Sequence, residues 1–218
     1  MSLELHYHPL SSFCHKVLIA LYEKGLPFDR VDVNLGDPES RAKFLALWPV
    51  GKMPALRDGG RTVVESSIII EYLDGYDPSR PRMIPEGDAA LHVRFWDRFC
   101  DTYLHYNMQK IVGDRLRPAD AHDPYGVKQA LDQVRLAYRM IHEQVQGKTW
   151  LAGEDFTLAD CAAAPALFYA NVLLPIGPEH GATRAYFERL KARPSYARAL
   201  KEAEPFFNYF PGETKPTL

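Results

Sequence analysis

The chain has 218 residues, 46% of them hydrophobic, with 26 Lys and Arg against 28 Asp and Glu. That length carries a real core in one large domain or two small ones, and a slightly acidic balance with no basic run argues against a nucleic-acid partner, because phosphate neutralisation needs clustered cations. No stretch approaches the roughly 18 apolar residues of a membrane span, so no membrane segment is expected. The opening "MSLELHYHPL" lacks the basic-then-apolar order of a secretory leader. Cys14, Cys100 and Cys161 are odd in number and form no CxxC pair, which speaks against a disulfide framework and for a reducing, cytoplasmic setting.

In chain order, "LELHYH" alternates and reads as a strand. His6 and His8 would share one side of it, but no further ligand follows at metal-like spacing, so no metal site is expected. "HKVLIALYEKG" reads as a helix stopped by Gly25, with Pro27 just behind. "FDRVDVN" is a second strand, parallel to the first if the helix crosses over. "ESRAKFLALW" is a short helix ended by Pro49, and "PALRDGGRTVVE" is a hairpin around Asp58-Gly59-Gly60. "SSIIIEYLDGY" closes the series as a helix. The order βαβαββα suits an α/β domain over residues 1–77.

"DPSRPRMIPEGD" has three prolines in twelve residues and no periodicity, which marks a linker over 78–88. Beyond it the strand signals vanish, and 89–218 reads as an all-helical bundle. His92, Trp96, Phe99, Tyr103 and Tyr106 step along one helix face, and Val127, Leu131, Val134, Tyr138, Ile141 and Val145 along another. In "FTLADCAAAP", Thr157 and Asp160 form a capping box, Phe156 can staple onto Cys161, and Pro165 falls inside the helix, where a kink is expected. The aromatic, Pro-rich end "EPFFNYFPGETKPTL" either folds over a cleft or packs on the bundle.

"SSFCHK" holds the chemistry. A strand, a loop and a helix N-terminus make a place for an anion, since the first helical N–H groups are unpaired and the dipole is positive there. A hydroxyl at that mouth can donate to a thiolate; one charge-assisted bond of ~1.5–3 kcal/mol lowers a thiol pKa by about one to two units. A lone serine before a helix is first of all a cap. As a unit, however, "SSFC" occupies the slot where thioredoxin-like domains carry C-x-x-C, with Ser11 replacing the attacking cysteine and Cys14 the resolving one, so dithiol exchange is lost.

Four stretches in order, "SSFCHKVLIALYEKG", "WPVGKMPAL", "VVESSIIIEYLD" and "FTLADCAAAP", give a resemblance to the cytosolic glutathione transferases over nearly the full length, most closely to serine-type, theta- or zeta-like bacterial members. The resemblance implies a thioredoxin-like N-terminal domain followed by a helical domain, and an enzyme that activates the glutathione thiol as thiolate for attack on an apolar electrophile. Glutathione is then a cosubstrate, and no other cofactor is implied. Ser11 takes the role of thiolate stabiliser, with Ser12 as runner-up and Tyr7 as a third candidate. Met53-Pro54 is expected as a cis peptide whose strand edge pairs with the cysteinyl backbone, by addition of the tripeptide as a strand. Glu65 would hold the γ-glutamyl ammonium, Ser66 its carboxylate, and Lys52 the glycyl carboxylate. Tyr103, Tyr106, Asn107 and Lys110 would wall the electrophile pocket. Cys14 is expected to be buried and inert, and His15 and Lys16 to add positive potential or to face solvent. Trp48, where the family often has Asn, is expected to reshape the edge of the pocket. A homodimer and a role in detoxification are also implied. Two alternatives remain open: a glutathione-dependent isomerase (maleylacetoacetate-like) or dehalogenase on the same scaffold, and a non-catalytic binding protein.

Overall fold

The structure is a computed structural model that describes residues 2–218. The first alternating run forms β1 (Leu3–Tyr7), with Leu3, Leu5 and Tyr7 buried. His6 stands on this strand, but His8 lies past its end, where its Nδ1 accepts the Leu10 N–H at 3.1 Å. The two histidines therefore do not share a strand face. Helix α1 (Ser12–Lys24) starts three residues ahead of the predicted pattern, because extended Ser11 caps it. It closes at Gly25 (φ 59), where the N–H groups of Gly25 and Leu26 reach back to the Tyr22 and Leu21 carbonyls, a left-handed close that glycine favours.

The α1 crossover returns β2 (Phe28–Asp32) parallel to β1. Helix α2 (Pro38–Leu47) is capped by the Asp37 carboxylate. Strands β3 (Ala55–Asp58) and β4 (Arg61–Val64) form the hairpin, Asp58 facing Arg61 across Gly59-Gly60. Helix α3 (Ser66–Tyr76) spans the predicted stretch. The sheet runs β2-β1-β3-β4, with β3 antiparallel to β1. This is the βαβαββα arrangement expected.

The rest is helical: α4 (Asp88–Phe99), α5 (Tyr106–Arg115), α6 (Pro124–Gln144), α7 (Leu158–Leu173), α8 (Gly181–Ala192) and α9 (Pro194–Ala203). A π-helical segment, Cys100–His105, joins α4 directly to α5. Its i→i+5 bonding adds a residue to the turn, so the stripe read at 3.6 residues per turn slips. Trp96 and Phe99 stay buried, but Tyr103 and Tyr106 turn out to solvent, and Leu104, His105 and Met108 take their places inside. On α6 the predicted face holds, with Val134, Tyr138 and Ile141 buried.

The capping box of α7 is present and carries more than a cap. The Asp160 carboxylate is fully buried and accepts from Thr157 N–H (2.9 Å), Thr157 Oγ1 (3.2 Å), Leu151 N–H (2.9 Å) and Tyr186 OH (2.7 Å). The helix continues through Pro165 to Leu173. The tail packs on the bundle: Phe210 stacks on Tyr169 at 5.5 Å, Phe207 lies against Phe168, and Arg115 donates to the Pro211 carbonyl.

Helix α1 is buried nearly all round; it packs against α3, α7 and α9, and one core runs through both halves. Lys16 lies on it and is 1% exposed, contrary to the expectation of a solvent-facing cation or a source of field. Its ammonium sits 2.5 Å from Asp97, 2.7 Å from Asp101 and 2.8 Å from Ser67 Oγ. Burial pulls this ammonium down, but Asp101 and Asp97 outweigh burial and raise it; burial pushes the Asp97 carboxyl up against the pull of Lys16. The proline-rich stretch after α3 is also anchored: buried Asp74 accepts from the Met83 and Ile84 N–H groups and from Lys24. Among the described residues no helix is long and apolar enough to cross a membrane.

Candidate active site

Two helix mouths and one loop meet in a cleft of about 360 Å3. The mouth of α1 brings Ser11 and Phe13. The loop before β3 brings Lys52, Met53 and Pro54, and the start of α3 brings Glu65 and Ser66. The Met53-Pro54 peptide is cis. A second recess, of about 540 Å3, shares Phe13, Glu65 and Ser66 with the first and extends towards Ser67, Thr102 and Tyr106.

Each mouth is open to an anion. At α1, Ser11 Oγ accepts the Cys14 N–H in a long bond of 3.4 Å, which leaves the hydroxyl hydrogen free to donate. At α3, Glu65 offers no side-chain cap, so the first N–H groups face outward without a partner from the cap residue. Glu65 itself is exposed and holds φ 68, ψ 119, a conformation that costs a non-glycine residue about 1–3 kcal/mol.

The two serines of the loop face opposite ways. Ser11 is half-buried and lines the cleft, whereas Ser12 is 7% exposed and is joined to His105 Nε2 by a hydrogen bond of 2.6 Å. Tyr7 is buried in the core on β1 and does not reach the cleft. Burial pushes the Cys14 thiol up to about 11, against the pull of the Ser11 hydroxyl. Burial lowers His15 to about 4, so it is neutral, and its Nε2 donates to the Pro9 carbonyl at 2.5 Å.

Of the residues expected around the electrophile, Tyr106 lines the second recess. Tyr103 does not; it lines a separate apolar groove with Phe95, Phe99 and Met140, because the π-helical segment turns it away. Asn107 is spent on the Tyr103 carbonyl, to which its Nδ2 donates at 2.9 Å, and neither it nor Lys110 lines either recess. Trp48 packs on a small cluster with Val33, Phe44 and Ala55 behind the loop, and is not part of the wall. Sequence reasoning missed Leu35 and Gln109, which border the first recess, and His105 behind it. Nothing in the local pattern singles these three out.

The chain matches the family model described as "Glutathione S-transferase, N-terminal domain" over residues 5–81, and the one described as "Glutathione S-transferase, C-terminal domain" over residues 99–194. The chain belongs to the glutathione S-transferase family. Among its relatives, glutathione S-transferase 3 of Zea mays is 32% identical over 209 residues, covering 91% of this chain and 93% of that protein. FtsZ-localized protein A of Caulobacter vibrioides is 28% identical, covering 94% of each. A glutathione S-transferase of Methylobacillus flagellatus, solved with glutathione bound, superposes with a TM-score of 0.84 at 26% identity, covering 91% of this chain and 98% of that one.

All three cysteines of this glutathione transferase are free and buried. Burial raises Cys100 and Cys161 as well as Cys14. Thiolate is the reactive form, so iodoacetamide near neutral pH is expected to leave the folded protein unlabelled. After denaturation all three sites should alkylate, as read by intact mass; labelling of Cys14 in the folded state would show that the first turn of α1 opens.

Proposed function

We propose that this glutathione transferase activates the thiol of glutathione as thiolate and directs it onto a soft, mostly apolar electrophile. The observation that carries the reading is the convergence of Ser11, Met53-Pro54 and Glu65-Ser66 on one cleft beside two open helix mouths. Glutathione lies extended, its cysteinyl backbone paired with the edge at Met53. Its γ-glutamyl carboxylate meets the Ser66 hydroxyl and the α3 N–H groups, Glu65 takes the ammonium, and Lys52 takes the glycyl carboxylate. The thiol proton passes to solvent, and the sulfur anion accepts the Ser11 O–H. The thiolate then forms the carbon–sulfur bond while the leaving group departs with its electron pair, or while an added-to double bond or ring takes up a proton. The rate gain comes from more thiolate at neutral pH and from orientation in a partly dry cleft. Phe13 and Tyr106 supply the apolar wall for the second substrate. Glutathione is a cosubstrate, and no prosthetic group or metal belongs to the reading. The dimer is part of it: exposed Ile68, Leu91 and Phe95 on α3 and α4 offer apolar surface that a second copy would cover.

The likeness to FtsZ-localized protein A favours a second reading, a scaffold that keeps the fold and binds another protein. One experiment separates the two. Glutathione is offered with aryl halides, epoxides, isothiocyanates and peroxides, products are followed by mass spectrometry, and glutathione binding is measured by calorimetry. The transferase reading expects saturable glutathione binding and turnover of at least one class. No binding and no turnover across the panel would leave the scaffold.

A further inference from the structure

Among the described residues, the one side-chain hydrogen bond that the helical half makes to Ser11 or Ser12 comes from His105, while Tyr169 OH donates to the carbonyl of Leu10, one residue ahead, at 2.9 Å. His105 is 2% exposed and sits at the last position of the π-helical segment. It meets two consecutive residues of the α1 mouth. Its Nε2 is joined to Ser12 Oγ at 2.6 Å, and its ring lies 4.0 Å, centroid to centroid, from that of Phe13. Phe13 in turn lines both recesses, and Ser11 immediately precedes the pair. Burial, with Lys16 nearby, lowers His105 to about 3, so the imidazole is neutral and the bond to Ser12 does not change with pH in the working range.

We propose that His105 is a positioning residue for the thiolate site: by holding Ser12 and Phe13 it fixes the mouth of α1, and with it the Ser11 hydroxyl, against the helical domain. The inference rests on the proposed role of Ser11 as thiolate donor. The physical need is plain. A hydroxyl favours a sulfur anion only when it stays within hydrogen-bond reach and aimed at it, and a misplacement of about 1 Å is costly. The backbone around Ser11 is already held, by the Ser11 N–H on the His8 carbonyl at 3.0 Å and by Tyr169 OH on the Leu10 carbonyl at 2.9 Å, but the Ser11 side chain itself makes only the long cap bond of 3.4 Å. His105 supplies the restraint from the other side. The π-helical segment matters here because its wider turn carries residue 105 inward to the loop, while Tyr103 turns out.

The test uses the whole chain and glutathione, with the pKa of the bound thiol read from thiolate ultraviolet absorbance, and with kcat and KM for glutathione from the best substrate of the panel above. His105→Phe keeps bulk and the ring contact with Phe13 but loses the bond. It is expected to raise the bound-thiol pKa by about 0.5 unit and to lower kcat about two- to threefold, with little change in KM for glutathione. Ser12→Ala should do the same, and the double variant should add almost nothing to either, since both remove one bond. His105→Gln, which keeps a polar group at similar reach, should recover most of the loss. If His105→Phe and Ser12→Ala lower the melting temperature yet leave the thiol pKa and kcat unchanged, His105 is structural only and the inference fails. Should His105→Phe fail to fold, Ser12→Ala and His105→Gln decide the matter on the same readouts. Ser11→Ala runs beside them: no shift there overturns the thiolate-donor reading itself, whereas a shift there with none in the other variants overturns only the role of His105.

Discussion

Ser11→Ala is expected to raise the pKa of the bound glutathione thiol by about one to two units. The bond lost is a hydroxyl donating to an anion, about 1.5–3 kcal/mol, and each pKa unit is worth about 1.4 kcal/mol. Turnover does not fall by the whole of that factor. A more basic thiolate is a better nucleophile, with a slope of about 0.4–0.5, so a hundredfold loss of thiolate is offset by roughly six- to tenfold in reactivity. The net expectation is about a tenfold drop in kcat near pH 6.5, with a much smaller change in glutathione affinity. The sign with pH follows. The deficit shrinks as pH rises through the new, higher thiol pKa, and the variant approaches the parent in alkaline buffer. The alanine also removes the cap of α1, so a loss of about 1 kcal/mol in stability accompanies the kinetic effect. Ser11→Thr, which keeps a hydroxyl for both jobs, should behave close to the parent. A pH–rate profile that does not move in Ser11→Ala would take the thiolate away from this hydroxyl, and a full-sized shift in Ser12→Ala alone would assign it to the second serine.

The second large effect is on stability. Lys16 is buried between Asp97 and Asp101 at 2.5 and 2.7 Å, so Lys16→Met leaves a dry carboxylate pair with no cation. Breaking a buried ion pair by removing one partner costs about 3–5 kcal/mol. In a chain of this length that lowers the melting temperature by roughly 6–20 °C. Acidification discriminates this cause from a packing defect. Without Lys16, the folded-state pKa of Asp97 rises further above its unfolded value. A carboxyl raised in this way stabilises the fold when protonated, and that contribution is lost as pH rises through the raised value. The gap between variant and parent should therefore narrow from pH 7 to pH 5. The parent loses stability in the same sense on the alkaline side: the Lys16 pKa is raised on folding, so its contribution is complete below the ordinary lysine range and disappears as pH rises through the raised value, where the gap narrows again. Scanning calorimetry across pH would show a constant gap if the loss were one of packing alone.

The N-terminal half was legible because each of its signals is local. Period-two runs, Gly25 behind an apolar helix, and a two-glycine hairpin each act within a few residues, and the elements formed where those signals lie. The Thr157–Asp160 box was legible for the same reason, although nothing nearby in the chain announces that Tyr186 and Leu151 share the carboxylate. Errors arose where a regular period was assumed. A stripe read at 3.6 residues per turn carries Tyr103 into the pocket, and the π-helical segment turns it away. Lys16 was misread because lysine is solvent-facing by default, and only the arrival of Asp97 and Asp101 from 81 or more positions away makes its burial tolerable. His105 was invisible for a related reason: its partner, Ser12, is 93 positions distant.

Glu65 carries a tension between chain and ligand. Its backbone sits where only glycine is at ease, yet a carboxylate at this spot is what an ammonium group would need. Relaxing the chain and keeping the charge are therefore incompatible at a single position. If Glu65 holds the ammonium as proposed, variants selected for heat resistance alone would be drawn towards glycine there and would drift away from the tripeptide, and thermal robustness would be set against ligand recognition at one residue.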